Sequence, residues 1–195
     1  MKSNRWDDHY ARRARAEKWL ARSVYKLQEI DRKFKLIRKG HQILDLGCYP
    51  GSWSQYGISK VGPEGDVIGI DLNLPDRLSF HNFRSIQADI LALDMEWLIR
   101  KISPRDLVMS DLAPSTTGIG TTDTSRSMAL AKKALDIASV LLKRRGYFVC
   151  KVLEGEEIKP FRLKAADIFS EVRLFRPKAT RKRSREVYLI GQQFV

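Results

Sequence analysis

"EVRLFRPKATRKRSREVYLIGQQF", residues 171–194, holds two apolar runs, 171–177 and 186–194, separated only by "KATRKRSR". A crossover between parallel strands takes about a dozen residues or more, so these runs must form two antiparallel arms of one hairpin. The chain upstream follows another pattern. "HQILDLGC" (41–48), "DVIGIDLN" (66–73), "SIQAD" (85–89), "DLVMSDLAP" (106–114) and "GYFVCKVLEG" (146–155) have the length and composition of buried strands. Helical patterns at 52–61, 124–146 and 159–170 fall between strands, the second closing at Gly146. Another helix, 23–37, comes first, with Val24, Leu27, Ile30 and Phe34 on one face and Ser23 as its N-cap. Strands alternating with helices predict an α/β fold, a mostly parallel sheet covered on both faces. An antiparallel seventh strand then sets it apart from an all-parallel nucleotide-binding sheet.

The 195 residues are expected to form a single domain, 1–195, with 1–40 as a basic helical extension packed on it. Cys48 and Cys150 are too few for a disulfide framework and lack metal-ligand spacing, so a reducing cytoplasm and no metal are expected. No apolar stretch has the length of a membrane span, and the polar N-terminus with Asp7, Asp8 and Glu17 does not read as a signal peptide.

The net charge of +13 is unevenly distributed. Residues 1–40 carry 13 Lys and Arg against 5 Asp and Glu, and residues 173–185 carry 7 basic and no acidic residues, while the remainder is nearly neutral. One basic run is most simply a solvated face. Two runs flanking a neutral body point instead to a polyanion. Arg12, Arg13 and Arg22 in the first segment, with Lys178, Arg181, Lys182, Arg183 and Arg185 in the second, are the expected nucleic-acid contacts. Trp6, His9 and Tyr10 either stack on bases or hold the first helix to the core.

In a doubly wound sheet, ligands bind outside the carboxyl ends of the parallel strands. Gly47 and Gly51 bracket the first strand-to-helix turn, where backbone approaches a ligand closely. Asp71, Asp89 and Asp111 end the next three strands. Asp71 is placed to hold ribose hydroxyls and Asp89 to accept from an adenine amino group. The turn is neither G-x-G-x-x-G nor a P-loop, which disfavours a dinucleotide and favours S-adenosylmethionine.

Lys151 interrupts the most apolar strand, where an unpaired ammonium is costly to bury. Asp111 ends the neighbouring strand, and an antiparallel seventh strand brings Glu186, its first residue, to the same edge. Lys26 on the preceding helix completes a group of two lysines and two carboxylates. Such a group is either a structural ion-pair network or, beside an adenosine pocket, a catalytic one.

In order along the chain, "RSVYKLQEID", "LDLGCYPGSWSQ", "VIGIDL", "SDLAPSTTG", "FVCKVLEG" and "RKRSREVYLIG" resemble the motifs of the FtsJ family of ribosomal RNA 2′-O-ribose methyltransferases. The resemblance runs from about Arg5 to the end. It implies a class I, Rossmann-like methyltransferase fold, S-adenosylmethionine as cofactor and a uridine of large-subunit ribosomal RNA as target. It also implies a catalytic tetrad of Lys26, Asp111, Lys151 and Glu186, and cofactor contacts from Gly51, Trp53, Asp71, Asp89 and Asp111; Gly47 and Ser52 of the same turn are expected to join them. The expected partner is ribosomal RNA or the large subunit, met by a monomer. Cys48, Tyr49 and Ser52 depart from the family's usual small residues, as does "LAPSTTG" after Asp111. Transfer RNA or an mRNA cap as substrate, or a silent RNA-binding assembly factor, are the alternatives. Pyrimidine-C5 and base-amino methylation are disfavoured, because Ser115 stands where a cysteine is needed and "DLAPS" does not match an Asp/Asn-Pro-Pro-aromatic motif.

Overall fold

A computed structural model describes residues 5–114 and 120–195. Its elements in chain order are α1 (Arg5–Ala16), α2 (Val24–Phe34), β1 (Gln42–Leu46), α3 (Ser52–Val61), β2 (Asp66–Asp71) and β3 (Phe83–Gln87). They continue with α4 (Met95–Lys101), β4 (Arg105–Ser110), α5 (Gly120–Leu141), β5 (Leu142–Leu153), α6 (Ile158–Ala166), β6 (Phe169–Phe175) and β7 (Glu186–Phe194). The seven strands form one sheet in the order β3-β2-β1-β4-β5-β7-β6. β1 to β5 run parallel, and β7 inserts antiparallel to both β5 and β6. The antiparallel last strand expected from the hairpin and the class I, Rossmann-like architecture implied by the resemblance are both observed.

Alternation along the strands divides the core into two layers. Phe148, Cys150 and Val152 of β5 and Val187 and Leu189 of β7 pack under α5 and α6. Val149, Tyr188 and Ile190 face the other way, toward α2 and α3. Register therefore decides which polar side chains share a face. Lys151 pairs with Tyr188 across the β5–β7 ladder and Leu153 with Glu186. Lys151, Tyr188 and Glu186 thus stand on the α2 side of the sheet.

Several local expectations are corrected. Ser23 has helical backbone angles and makes no capping bond; its hydroxyl pairs instead with that of Ser52 at 2.8 Å. The long helix ends at Leu141, not Gly146, and Leu142 already belongs to β5. That helix begins at Gly120, before the expected Thr124. β3 starts two residues earlier than expected, and α6 stops at Ala166 so that Phe169 can open β6. The short helix α4 was missed; Asp94 caps it by accepting from the Trp97 amide at 2.6 Å. Ser115 lies outside the described residues.

Candidate active site

At the carboxyl edge, Lys151 is 6% exposed. Its Nζ donates to the Asp111 carbonyl at 2.6 Å and lies 3.3 Å from Asp111 Oδ1. Lys26 Nζ, on α2, meets Glu186 Oε2 at 2.8 Å. Each lysine thus has its own carboxylate, which offsets the desolvation that burial imposes. Tyr188 joins the two pairs. Its hydroxyl donates to Asp111 Oδ1 at 2.8 Å, and Lys26 Nζ lies 5.9 Å from its ring centroid.

Tyr188 was not among the expected site residues, because in "EVYLIGQQF" it reads as one more apolar strand residue. The available signal was its place two residues after Glu186, on the same face of the strand. Burial would raise the Asp111 carboxyl, but Lys151, Lys26 and the Tyr188 hydroxyl outweigh it and hold it below the usual range. The Tyr188 phenol is pushed well above its ordinary value, first by burial and then by Asp111 and Glu186. Asp111 is therefore the anion of this group and Tyr188 its neutral donor.

Beside the group lies a cleft of about 530 Å³ lined by Gly47, Asp71, Asp89 and Asp111, with Leu72, Ile90, Leu112 and Leu130 among its apolar walls. The size suits a nucleoside-bearing ligand. Gly47 has φ +82°, and a Cβ there would stand 2.8 Å from Leu112 Cδ2. Asp71 accepts from the Tyr49 and Asn73 amides at 3.0 Å each, and Asp89 Oδ1 from the Leu91 amide at 2.9 Å. Both carboxylates are held by backbone and keep acceptor capacity for a ligand.

Gly51, Ser52 and Trp53 do not line this cleft. A Cβ on Gly51, whose φ is +113°, would meet Leu20, and the Trp53 indole is buried, donating to the Ser23 carbonyl at 3.0 Å and packing on Tyr188. These three shape the turn from behind. Burial pushes both cysteine thiols upward, Cys150 to about 12, so neither is a nucleophile.

The two basic segments meet. Arg22 donates to the Ala179 carbonyl at 3.0 Å, and Glu29 of α2 accepts from the Lys178 and Ala179 amides at 2.7 and 2.9 Å. The hairpin loop is thereby clamped to the N-terminal helices. Arg13 is engaged internally, bonding Glu17 at 2.7 Å and lying over the Tyr25 ring. Lys178, Arg181, Lys182, Arg183 and Arg185 are exposed on the loop, as is Arg12 on α1.

The sequence profile of FtsJ-like methyltransferases matches residues 19–194. The chain belongs to that family. This FtsJ-like methyltransferase is 45% identical over 187 residues to the ribosomal RNA large subunit methyltransferase E of Bdellovibrio bacteriovorus, covering 94% of this chain and 95% of that one. It is 45% identical over 190 residues to the protein of the same name from Desulfosudis oleivorans, covering 97% and 92%. Among solved structures, a Plasmodium falciparum protein provisionally described as a ribosomal RNA methyltransferase superposes with a TM-score of 0.77 at 26% identity, over 90% of this chain and 98% of that one.

Proposed function

We propose that this FtsJ-like methyltransferase transfers a methyl group from S-adenosylmethionine to the ribose 2′-oxygen of a uridine in large-subunit ribosomal RNA, within the ribosomal particle. The observation that carries this reading is the meeting of Lys26, Asp111, Lys151 and Glu186 in one group that Asp111 joins to the cleft. The cleft fits the cofactor's chemistry: Asp71 would take the ribose hydroxyls, Asp89 the adenine amino group, and the Gly47 turn leaves backbone open to it. When bound, S-adenosylmethionine supplies an electrophilic methyl on a sulfonium.

A ribose hydroxyl is a poor nucleophile while protonated. Lys151 pairs with Asp111 as an ammonium; once it has released a proton to solvent, the amine has two N–H donors and one lone pair. The nitrogen donates to the Asp111 carbonyl at 2.6 Å and lies 3.3 Å from its carboxylate, which anchors it while the amine's lone pair accepts the 2′-hydroxyl proton. The ammonium that results is then held by the Asp111 anion. Lys26 and Glu186 keep the approach to that nitrogen ordered, and Tyr188 fixes the carboxylate. The joined basic face of α1, α2 and the β6–β7 loop supplies phosphate contacts. We infer that the chain acts as a single-domain monomer in the cytoplasm.

The test is purified protein with labelled methyl donor and large ribosomal subunits, followed by mapping of ribose methylation. The expected result is label at one 2′-oxygen. Label on a base, or on transfer RNA in preference to ribosomal RNA, would overturn the assignment.

A further inference from the structure

Counting charge by segment conceals a second cationic cluster, at the amino edge of the sheet. Arg38, Arg144 and Arg145 line a pocket of about 360 Å³ together with His41, Asp106 and Tyr147. Asp106 is already satisfied, accepting from the Gln42 amide at 2.8 Å and pairing with Lys143 Nζ at 2.9 Å. Arg38 donates to the Tyr147 hydroxyl at 3.2 Å. Among the described residues, Arg144 and Arg145 form no ion pair, and both are exposed. Three arginines therefore line one pocket whose carboxylate is already paired with a lysine, an arrangement that costs self-repulsion unless an anion joins it.

The backbone here is also unusual. Among the described residues, two of the four non-glycine residues with left-handed φ, Arg145 at +65° and Gln193 at +58°, line this pocket. L side chains rarely adopt this backbone conformation. Gly146 closes the turn so tightly that a Cβ would lie 2.8 Å from the Lys143 carbonyl oxygen. The turn thereby presents Arg144 and Arg145 outward. From Gly146 to Lys151 along β5 is roughly 17 Å, so the pocket is separate from the catalytic rim.

We propose that this amino-edge pocket binds phosphodiester groups of RNA, on a segment other than the one that delivers its ribose to Lys151. Guanidinium groups suit phosphate oxygens through paired donors. The three arginines stay open to solvent beside exposed Lys39 rather than enclosing a small anion, which favours an extended polyanion. The inference rests on RNA being the substrate, and its test keeps the two readings apart.

Binding of ribosomal RNA is measured for the full chain between about 50 and 200 mM salt, alongside methyl-transfer kinetics. Arg144→Gln with Arg145→Asn is the main variant; asparagine tolerates the left-handed backbone. The expected result is a log–log salt slope shallower by about 2, a KM for RNA raised roughly tenfold and an unchanged kcat. Arg144→Gln alone, which leaves the strained residue intact, should remove about 1 from the slope. An unchanged slope and KM in both variants, with wild-type protein still binding and methylating RNA, would overturn the proposal alone. Wild-type protein that neither binds nor methylates RNA would overturn the functional reading beneath it. Stabilisation by inorganic phosphate that is lost in the variants while RNA binding is unaltered would reassign the pocket to a small anion and likewise overturn it.

Discussion

The two edges of the sheet hold their cations in opposite states. At the carboxyl edge, Lys26 and Lys151 are largely buried and each meets a carboxylate. At the amino edge, Arg144 and Arg145 are exposed and have none among the described residues. A desolvated cation needs a fixed partner, and that partner fixes its geometry, as chemistry at a single oxygen requires. A solvated cation exchanges counterions freely, as capture of a polyanion requires. Arg105 shows that pairing follows burial rather than location. It lies at the amino edge, is 2% exposed, and meets Asp66 at 2.6 Å and the Ser103 carbonyl at 2.7 Å.

The sharpest way to break this contrast is Lys151→Ala. Removal of the proposed proton acceptor should lower kcat by about a thousandfold or more while donor binding persists; near-normal turnover would make the rim a structural network. Asp66→Ala should cost about 3 kcal/mol in urea unfolding, since it strands a buried guanidinium, yet leave the salt slope of RNA binding unchanged. A changed slope would place Arg105 with the solvated cations.

Two rim carboxylates sharpen the comparison through pH. Asp111 is held below its ordinary range, so its contribution to stability is present above about pH 4 and is lost as pH falls through its lowered value. Asp45 behaves oppositely. Burial, helped by Asp111 and Asp71, pushes its carboxyl up to about 7 against the Ser54 hydrogen bond at 2.6 Å, and its Oδ1 has no partner among the described residues. Its stabilising effect is present below about pH 4 and fades as pH rises toward 7. Asp45→Asn should therefore be more stable than wild type at pH 7, by on the order of 2 kcal/mol, with the difference vanishing near pH 4. Melting curves across that window check it.

The smallest effect is expected from Tyr188→Phe, which deletes one hydrogen bond to an anion, worth about 1.5 kcal/mol. The expected outcome is a kcat roughly tenfold lower with KM for RNA unaltered; a shift in KM alone would assign Tyr188 to binding.

Much of this was legible from residue order. The eight residues 178–185 are too few for a crossover, so the antiparallel last strand followed from chain length alone. Asp71 and Asp111 were readable because a charge at the end of an apolar run is conspicuous. Gly146 misled: as a helix C-cap it was reasonable, but "LKRR" before it joins β5 because sheet pairing with β4 outweighs helical propensity. Tyr188 stayed hidden because only the β5–β7 register sets it opposite Lys151.

By itself the sequence determined the alternation of strands and helices, the hairpin and which charges cannot stay unpaired, for these depend on local period, loop length and the cost of desolvation. The tertiary structure alone decided which carboxylate each lysine meets and that Arg38 lies with Arg144 and Arg145. Those meetings depend on sheet order and register, which bring together residues from 40 to 160 positions apart, and no local pattern encodes such distances.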